Sequence, residues 1–361
     1  MSNKELRFAL IGCGRIAPKH AQALRVLSGT RLVAVCDPVG ERREEFARNY
    51  QARPHADYRE VLACSDIDAV TIATPSGNHA AIGIAAAQAG KHVLVEKPMA
   101  MTLAQADGLI EACSTAGVKL GVIHQNRFNS SVKLLRQALE AGRFGRLTHG
   151  QATIRWNRND DYYRQAPWRG TREQDGGVLM NQSIHNIDLL QWMLGPVESV
   201  FGFTQTAMRP IEMEDVAGAV LKFHNGAIGI IEAASTIYPA NIEETLNVFG
   251  SEGSVIIGGI AVNRIETWEF PHSEEEKKRI FAAQKADPPT VYGYGHQELM
   301  ADFVRAVEEE GTPAVCGEEG RKALEIVLAI YRCQESGTPV RLPVQKAGLH
   351  HMCGYMNRVD R

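Results

Sequence analysis

Two glycines and one aspartate near the start of the chain carry its first chemical signal. The largely apolar run Leu6-Arg7-Phe8-Ala9-Leu10-Ile11 is rich in strand formers and meets Gly12-Cys13-Gly14-Arg15-Ile16-Ala17, where helical periodicity begins. That order reads as strand, tight turn, helix. Gly12 permits the turn, and Gly14 leaves no Cβ to block a pyrophosphate. The N–H groups opening the helix at Arg15 and Ile16 then face that anion, with the helix dipole adding to the attraction. Ala17 is small enough for the helix to lie close to the strand. A GxGxxA is weak by itself, because small residues at such spacing are common. A second apolar run, Leu32-Val33-Ala34-Val35-Cys36, strengthens it by ending at Asp37, close to the spacing expected of a carboxylate that holds an adenosine ribose. Together these features predict a dinucleotide site. Asp37 can accept two ribose hydroxyls and would repel a 2′-phosphate, so NAD is expected as cofactor rather than NADP. Arg42 and Arg43 read as a solvated helix face.

The elements that must position these residues alternate through the first third of the chain. Strand patterns at 32–36, 53–56, 69–74, 92–97 and 119–124 are interleaved with helical patterns at 15–28, 41–49, 57–63, 79–89 and 102–116. Continuous apolar strands suit a parallel sheet covered on both faces. The series predicts an α/β chain opening with a doubly wound parallel sheet in the order 3-2-1-4-5-6. Ligands of such sheets sit beyond the carboxyl ends of the strands, where Gly12, Asp37, Thr74 and Lys97 all fall. Further on, helix 130–141 leads to a strand near 147–154, and an apolar helix spans 184–194. Alternating strands come next at 197–206, 215–223, 227–237, 243–249, 253–257 and 263–269, with hairpin turn signals at Asn225-Gly226 and Glu252-Gly253. Helices at 296–310 and 318–335 close the pattern. Tyr292, Tyr294 and His296 read equally as a flap over substrate or as a solvated helix cap.

Composition excludes several classes. With 39 basic and 42 acidic residues the formal charge of the 361-residue chain is −3, and no long basic run is present. Nucleic acid and acidic membranes are therefore poor partners. The seven cysteines are scattered, without a CxxC pair, and read as buried apolar residues in a reducing compartment. No signal-peptide layout or bilayer-length apolar segment is seen, so a cytoplasmic location is expected. His350, His351 and Cys353 near the end lack metal-ligand spacing, and no metal is expected.

The motifs taken jointly resemble one family. Gly12-Cys13-Gly14, Asp37, Ala73-Thr74-Pro75 with Asn78-His79, Glu96-Lys97-Pro98, Gly176-Gly177 and Ser183-Ile184-His185-Asn186-Ile187-Asp188 are similar to the glucose–fructose oxidoreductase / inositol dehydrogenase / rhizopine-catabolism (Gfo/Idh/MocA) oxidoreductases. The resemblance covers essentially the whole chain. It implies an NAD-binding Rossmann domain at 1–125 and an α+β domain at 126–361, whose large, mostly antiparallel sheet carries substrate on one face and joins subunits by the other. A homo-oligomer, tetramer or dimer, is expected on that ground. The resemblance further implies that Gly12, Cys13, Gly14, Arg15, Ile16, Asp37, Thr74, Pro75, Asn78, His79, Glu96 and Lys97 serve the cofactor. Lys97 would hold and polarise the reacting hydroxyl, and a cis peptide is expected at Lys97-Pro98. His185 matches the catalytic histidine, whose imidazole can take the hydroxyl proton near neutral pH. Asp188, one turn on, would orient it or face the core. Many members carry an aspartate four residues before that histidine. Here Asn181 stands there, and an amide cannot accept the proton. Proton removal would fall to His185, alone or with Lys97.

The substrate segment is cationic and aromatic. Five arginines (Arg155, Arg158, Arg164, Arg169, Arg172) alternate with Trp156, Tyr162, Tyr163 and Trp168. Guanidinium forks suit carboxylate and phosphate, and aromatic faces suit sugar or base rings. Arginines paired with surface acids are the competing reading. Joined to Asp175-Gly176-Gly177-Val178-Leu179-Met180-Asn181-Gln182-Ser183-Ile184-His185, the segment resembles the UDP-N-acetyl-2-amino-2-deoxyglucuronate dehydrogenases of bacterial lipopolysaccharide O-antigen biosynthesis. That resemblance implies a nucleotide-sugar substrate oxidised at C3 and contacted by Lys97, Arg155, Asn157, Arg158, Tyr163, Asn181 and His185. Arg169 would join these contacts or, with Trp168, border the nicotinamide. A dehydrogenase of inositol or another free sugar, and a non-catalytic NAD sensor, remain as alternatives.

Overall fold

The computed structural model describes residues 5–284, 288 and 290–344. The chain opens with six strands: β1 (Leu6–Ile11), β2 (Thr30–Cys36), β3 (Arg53–His55), β4 (Ala69–Ile72), β5 (His92–Glu96) and β6 (Leu120–Ile123). They pair in parallel in the order β3-β2-β1-β4-β5-β6, the order expected. Every residue of β4 and β6 is buried, which is what helices on both faces impose on a parallel sheet and why these strands read as unbroken apolar runs.

Eight further strands build the second sheet: β7 (Leu147–Arg155), β8 (Val197–Gln205), β9 (Val216–Phe223), β10 (Ile228–Ala234), β11 (Glu243–Gly250), β12 (Ser254–Gly258), β13 (Arg264–Glu269) and β14 (Val340–Arg341). Their order is β13-β12-β11-β7-β10-β9-β8-β14. Only β7 and β10 pair in parallel; the other neighbours are antiparallel. Along β9, buried and exposed residues alternate, so one face is core and the other open. The two-residue β14 is too short to show in any sequence pattern.

The chain divides into two compact units whose breaks fall at 125/126, 295/296 and 321/322. A single cut after residue 125 therefore misplaces 296–321, which packs with the first sheet. The reason is local packing. Phe303, on helix Gly295–Glu308, is buried with its ring 6.4 Å from that of Phe8 on β1. It also lies over Gly121 of β6, where a Cβ would stand 2.7 Å from the ring. In the second unit, helix Ile184–Leu194 packs on β7 and β11. Its Leu190 and Leu194 fill the space left by Gly150, where a Cβ would lie 3.1 and 2.9 Å from them. No helix among the described residues is long and apolar enough to cross a membrane. The tail histidines and Cys353 lie outside the described residues.

Candidate active site

The first unit presents a dinucleotide cradle. Gly12 takes a φ of +99°, and a Cβ there would stand 2.5 Å from the Ala73 carbonyl oxygen, so the turn closes against the end of β4 only with glycine. A Cβ at Gly14 would meet open space instead, which is the room a pyrophosphate needs. Helix Ala17–Val26 begins there with Ile16 as its N-cap, and among the described residues no side chain caps it. The Ala17 and Lys19 N–H groups donate to the Gly14 and Ile16 carbonyls at 3.2 and 2.9 Å, so the N–H groups suited to an external anion are those of Arg15 and Ile16 just before the helix. Arg15 is exposed beside it.

Asp37 is buried, and its carboxylate does two local jobs. Oδ2 accepts from the Cys13 N–H at 2.9 Å, and Oδ1 accepts from the Val39 N–H at 2.8 Å. A carboxylate has about four acceptor sites, so each oxygen keeps capacity for a ribose hydroxyl. Arg43 donates to the Asp37 carbonyl at 2.9 Å and is not the solvated residue its helix suggested. Burial pushes the Cys13 thiol up to about 12, so it stays an inert thiol. These features fit a dinucleotide: a cleared approach, an uncapped helix start and a fixed carboxylate.

The segments after β4 and β5 are stapled together. Thr74 Oγ1 donates to the Pro75 carbonyl at 3.3 Å, and the Asn78 N–H donates to the same oxygen at 3.0 Å. His79, expected to touch the cofactor, is buried with one ring nitrogen 2.8 Å from the Pro98 carbonyl and the other 2.9 Å from that of Thr74. It joins the two loops and turns neither nitrogen outward. The Lys97-Pro98 peptide is cis, as expected. Glu96, also read as a cofactor contact, points inward: Oε1 lies 3.0 Å from His20 Nε2, and Oε2 accepts from the Lys97 N–H at 3.1 Å. Lys97 itself is half-exposed at the end of a buried strand.

In the second unit the stretch from Val178 to Leu194 is buried except at three positions, and two of them, Asn181 and His185, stand one turn apart. The turn Val178–Ser183 is a π-helix, a wider winding common at functional sites. Its entry is pinned by Glu214. The Glu214 carbonyl accepts from the Val178 N–H at 2.9 Å, and Oε1 accepts from the Leu179 N–H at 2.9 Å and the Tyr331 hydroxyl at 3.0 Å. Gly177 must lack a side chain, since a Cβ would stand 2.2 Å from that carboxyl group. Burial lifts Glu214 to about 7. Asp188 turns to the core, where both its oxygens accept from Arg127 at 2.7 and 2.6 Å. Asn181 Nδ2 donates to Oδ1 of buried Asp175, whose Oδ2 accepts from the Gly170 N–H at 2.7 Å.

The arginine-rich segment sorts into two groups. Arg155 is paired: Nη2 meets Glu232 at 2.7 Å and Nη1 meets Glu243 at 2.5 Å across β10 and β11, so the surface-acid reading holds for it. Asn157 Nδ2 donates to the Pro239 carbonyl at 3.0 Å and is a loop staple. Arg158 lies 4.5 Å over Trp156 and 5.3 Å over Tyr162. Arg169 lies 4.2 Å over Tyr162 and 4.7 Å over Trp168, and donates to the Tyr162 hydroxyl at 2.6 Å. The result is an alternating stack Trp156–Arg158–Tyr162–Arg169–Trp168, held by cation–π attraction. Tyr163 places its hydroxyl 3.3 Å from Ser235 Oγ, and burial lifts its phenol to about 12. Sequence reading missed Asp175, Glu214 and His20, because each is defined by partners far along the chain. His296 is buried rather than solvated, in the first unit.

Comparison with known proteins agrees with this arrangement. The family model described as "Oxidoreductase family, NAD-binding Rossmann fold" matches residues 6–124, and the "GFO/IDH/MocA C-terminal domain" matches residues 132–256. The WlbA dehydrogenase of Bordetella pertussis, solved with NADH and UDP-GlcNAcA, is 38% identical with a TM-score of 0.88, over 96% of this chain and 100% of that one. The scyllo-inositol 2-dehydrogenase (NAD(+)) of Bacillus subtilis is 28% identical over 95% of this chain and 98% of its own length. The myo-inositol 2-dehydrogenase of Thermotoga maritima is 27% identical over 93% and 98%.

Proposed function

The chain belongs to the Gfo/Idh/MocA family of oxidoreductases and is an NAD-dependent sugar dehydrogenase, and from that premise we propose that it oxidises the C3 hydroxyl of UDP-linked N-acetylglucosaminuronate to a ketone. The observation that carries the proposal is the stack of Arg158 and Arg169 between Trp156, Tyr162 and Trp168. A free polyol has no anion for two guanidinium groups, whereas a uronate linked to a diphosphate does. Similarity to the WlbA dehydrogenase, solved with UDP-GlcNAcA, supports the same substrate.

NAD, when bound, supplies the hydride acceptor. Gly12, Gly14, the N–H groups at Arg15 and Ile16, and Asp37 would hold it. Lys97 holds the sugar hydroxyl and stabilises negative charge on its oxygen. His185 accepts the hydroxyl proton. Asn181 donates or accepts a hydrogen bond to the sugar but takes no proton. A product of this kind is a keto sugar ready for amination in surface-polysaccharide synthesis. A second copy of the chain is our reading of what covers Phe203, Val220, Ile228 and Ile230 on the open sheet face; light scattering that gives a monomer would refute it.

The test is NADH formation, followed by absorbance, with UDP-N-acetylglucosaminuronate, UDP-N-acetylglucosamine and myo-inositol. Turnover with the uronate at least about 100-fold above the other two, in kcat/KM, is expected from loss of a charge-assisted pair. Equal or better turnover of inositol would transfer the chain to the free-polyol reading, which Arg155 favours by being already neutralised by two glutamates.

A further inference from the structure

Three ionisable side chains from separate elements converge in the interior of the first unit. His20 comes from helix Ala17–Val26, Glu96 from the last position of β5, and His296 from helix Gly295–Glu308. All are buried, and one nitrogen or oxygen atom from each lies within 4.8 Å of the other two. The closest contact, His20 Nε2 to Glu96 Oε1 at 3.0 Å, is a hydrogen bond. His20 Nδ1 lies 2.7 Å from Thr71 Oγ1 on β4. With the threonine hydroxyl donating to Nδ1, Nε2 carries the proton and donates to Glu96. The second Glu96 oxygen accepts from the Lys97 backbone N–H at 3.1 Å.

A carboxyl group this deep would ordinarily be neutral. Burial works to raise Glu96, but the hydrogen bond from His20 opposes it, the nearby Lys97 ammonium adds to that pull, and the carboxyl is held at about 2. His296 is pushed down to about 4 by burial, against the pull of Glu96, and is neutral at pH 7; His20, Lys19 and Lys97 add to that effect. The groups facing Glu96 thus leave a fixed negative charge one residue from Lys97. None of the dinucleotide contacts in the glycine turn requires it.

We propose that Glu96, oriented by His20, is a positioning residue for Lys97: it anchors the lysine backbone and supplies the buried counter-charge that keeps the ammonium protonated once bound cofactor shields it from water. The inference rests on the proposed role of Lys97 in holding the sugar hydroxyl. An ammonium stripped of water tends to lose its proton, and a nearby carboxylate opposes that loss.

The test reads Lys97 directly. The full chain with NAD bound is acetylated competitively across pH 7–11, and Lys97 modification is followed by mass spectrometry. Glu96→Gln removes the charge but keeps the bonds, since its amide can donate to His20 Nε2 while His20 Nδ1 donates to Thr71. Its Lys97 midpoint should fall by about one pH unit, a roughly tenfold gain in reactivity below the midpoint. His20→Leu should shift it the same way by less, and His20→Gln, which keeps a donor to Glu96, should restore it. An unchanged midpoint in a folded Glu96→Gln, with NAD binding intact, overturns the proposal. Should Glu96→Gln fail to fold, the His20 pair decides. No sugar is present, so the result is independent of the substrate assignment.

Discussion

The Asn181 amide donates to the carboxylate of Asp175, a buried residue six positions earlier. The contact orients the amide, with its nitrogen on Asp175. It also explains why an aspartate is unsuited to position 181 here. Two carboxylates in contact in a buried setting cannot both stay ionised without large cost. Asn181→Asp should lower kcat at pH 7.5 at least about tenfold and lower stability by about 2 kcal/mol. The exchange Asp175→Asn with Asn181→Asp should recover most of the stability, as urea denaturation of the three variants would reveal. Equal stability of wild type and Asn181→Asp would refute this account.

Loss of the proposed chemical groups should separate binding from turnover. Lys97→Met and His185→Ala should each reduce kcat by about 100-fold or more while NADH affinity, read by fluorescence, changes less than about threefold. A His185→Ala enzyme with wild-type turnover would remove the histidine from the mechanism.

Asp37 holds the glycine turn as well as offering acceptors to ribose. Asp37→Ala should weaken NAD binding by about 1–3 kcal/mol and lower the melting temperature, because the Cys13 and Val39 N–H groups lose their acceptor. Isothermal titration and a thermal melt of one variant suffice. Unaltered NAD affinity would show that the ribose is held elsewhere.

Glu214 makes stability depend on pH with a definite sign. Its folded value of about 7 lies above the ordinary 4.5, so between those values the folded chain binds more protons than the unfolded one. Its contribution is therefore fully present below about pH 4.5, falls as pH rises, and levels off above about 7. The difference is on the order of 3 kcal/mol at most. Glu214→Gln should flatten the curve of urea midpoint against pH between 5 and 8, while Tyr331→Phe should leave a slope.

The Arg127–Asp188 pair lies wholly inside the second unit. Asp188→Ala leaves a buried guanidinium without its carboxylate and should cost about 3–5 kcal/mol. Arg127→Met with Asp188→Leu should cost much less, since neither charge is then stranded. Similar stability of the single and double variants would mean that the pair is already solvated.

Sequence by itself determined the parallel sheet and its strand order, the glycine turn with Asp37, every strand of the second sheet except β14 to within a few residues, and the family. These features rest on local propensity, on periodicity and on motifs a few residues long, all of which a linear reading samples directly. Tertiary structure alone decided the rest. Helix Gly295–Glu308 joins the first sheet because Phe303 fits over Gly121, a match of shapes that no periodicity records. Arg155 is neutralised by Glu232 and Glu243 because strand register sets them beside it. His20 meets Glu96 across 76 residues of chain, and Asn181 finds Asp175 only once the π-turn has wound. In each case the partner is chosen by packing, and packing is a property of the folded interior rather than of neighbours along the chain.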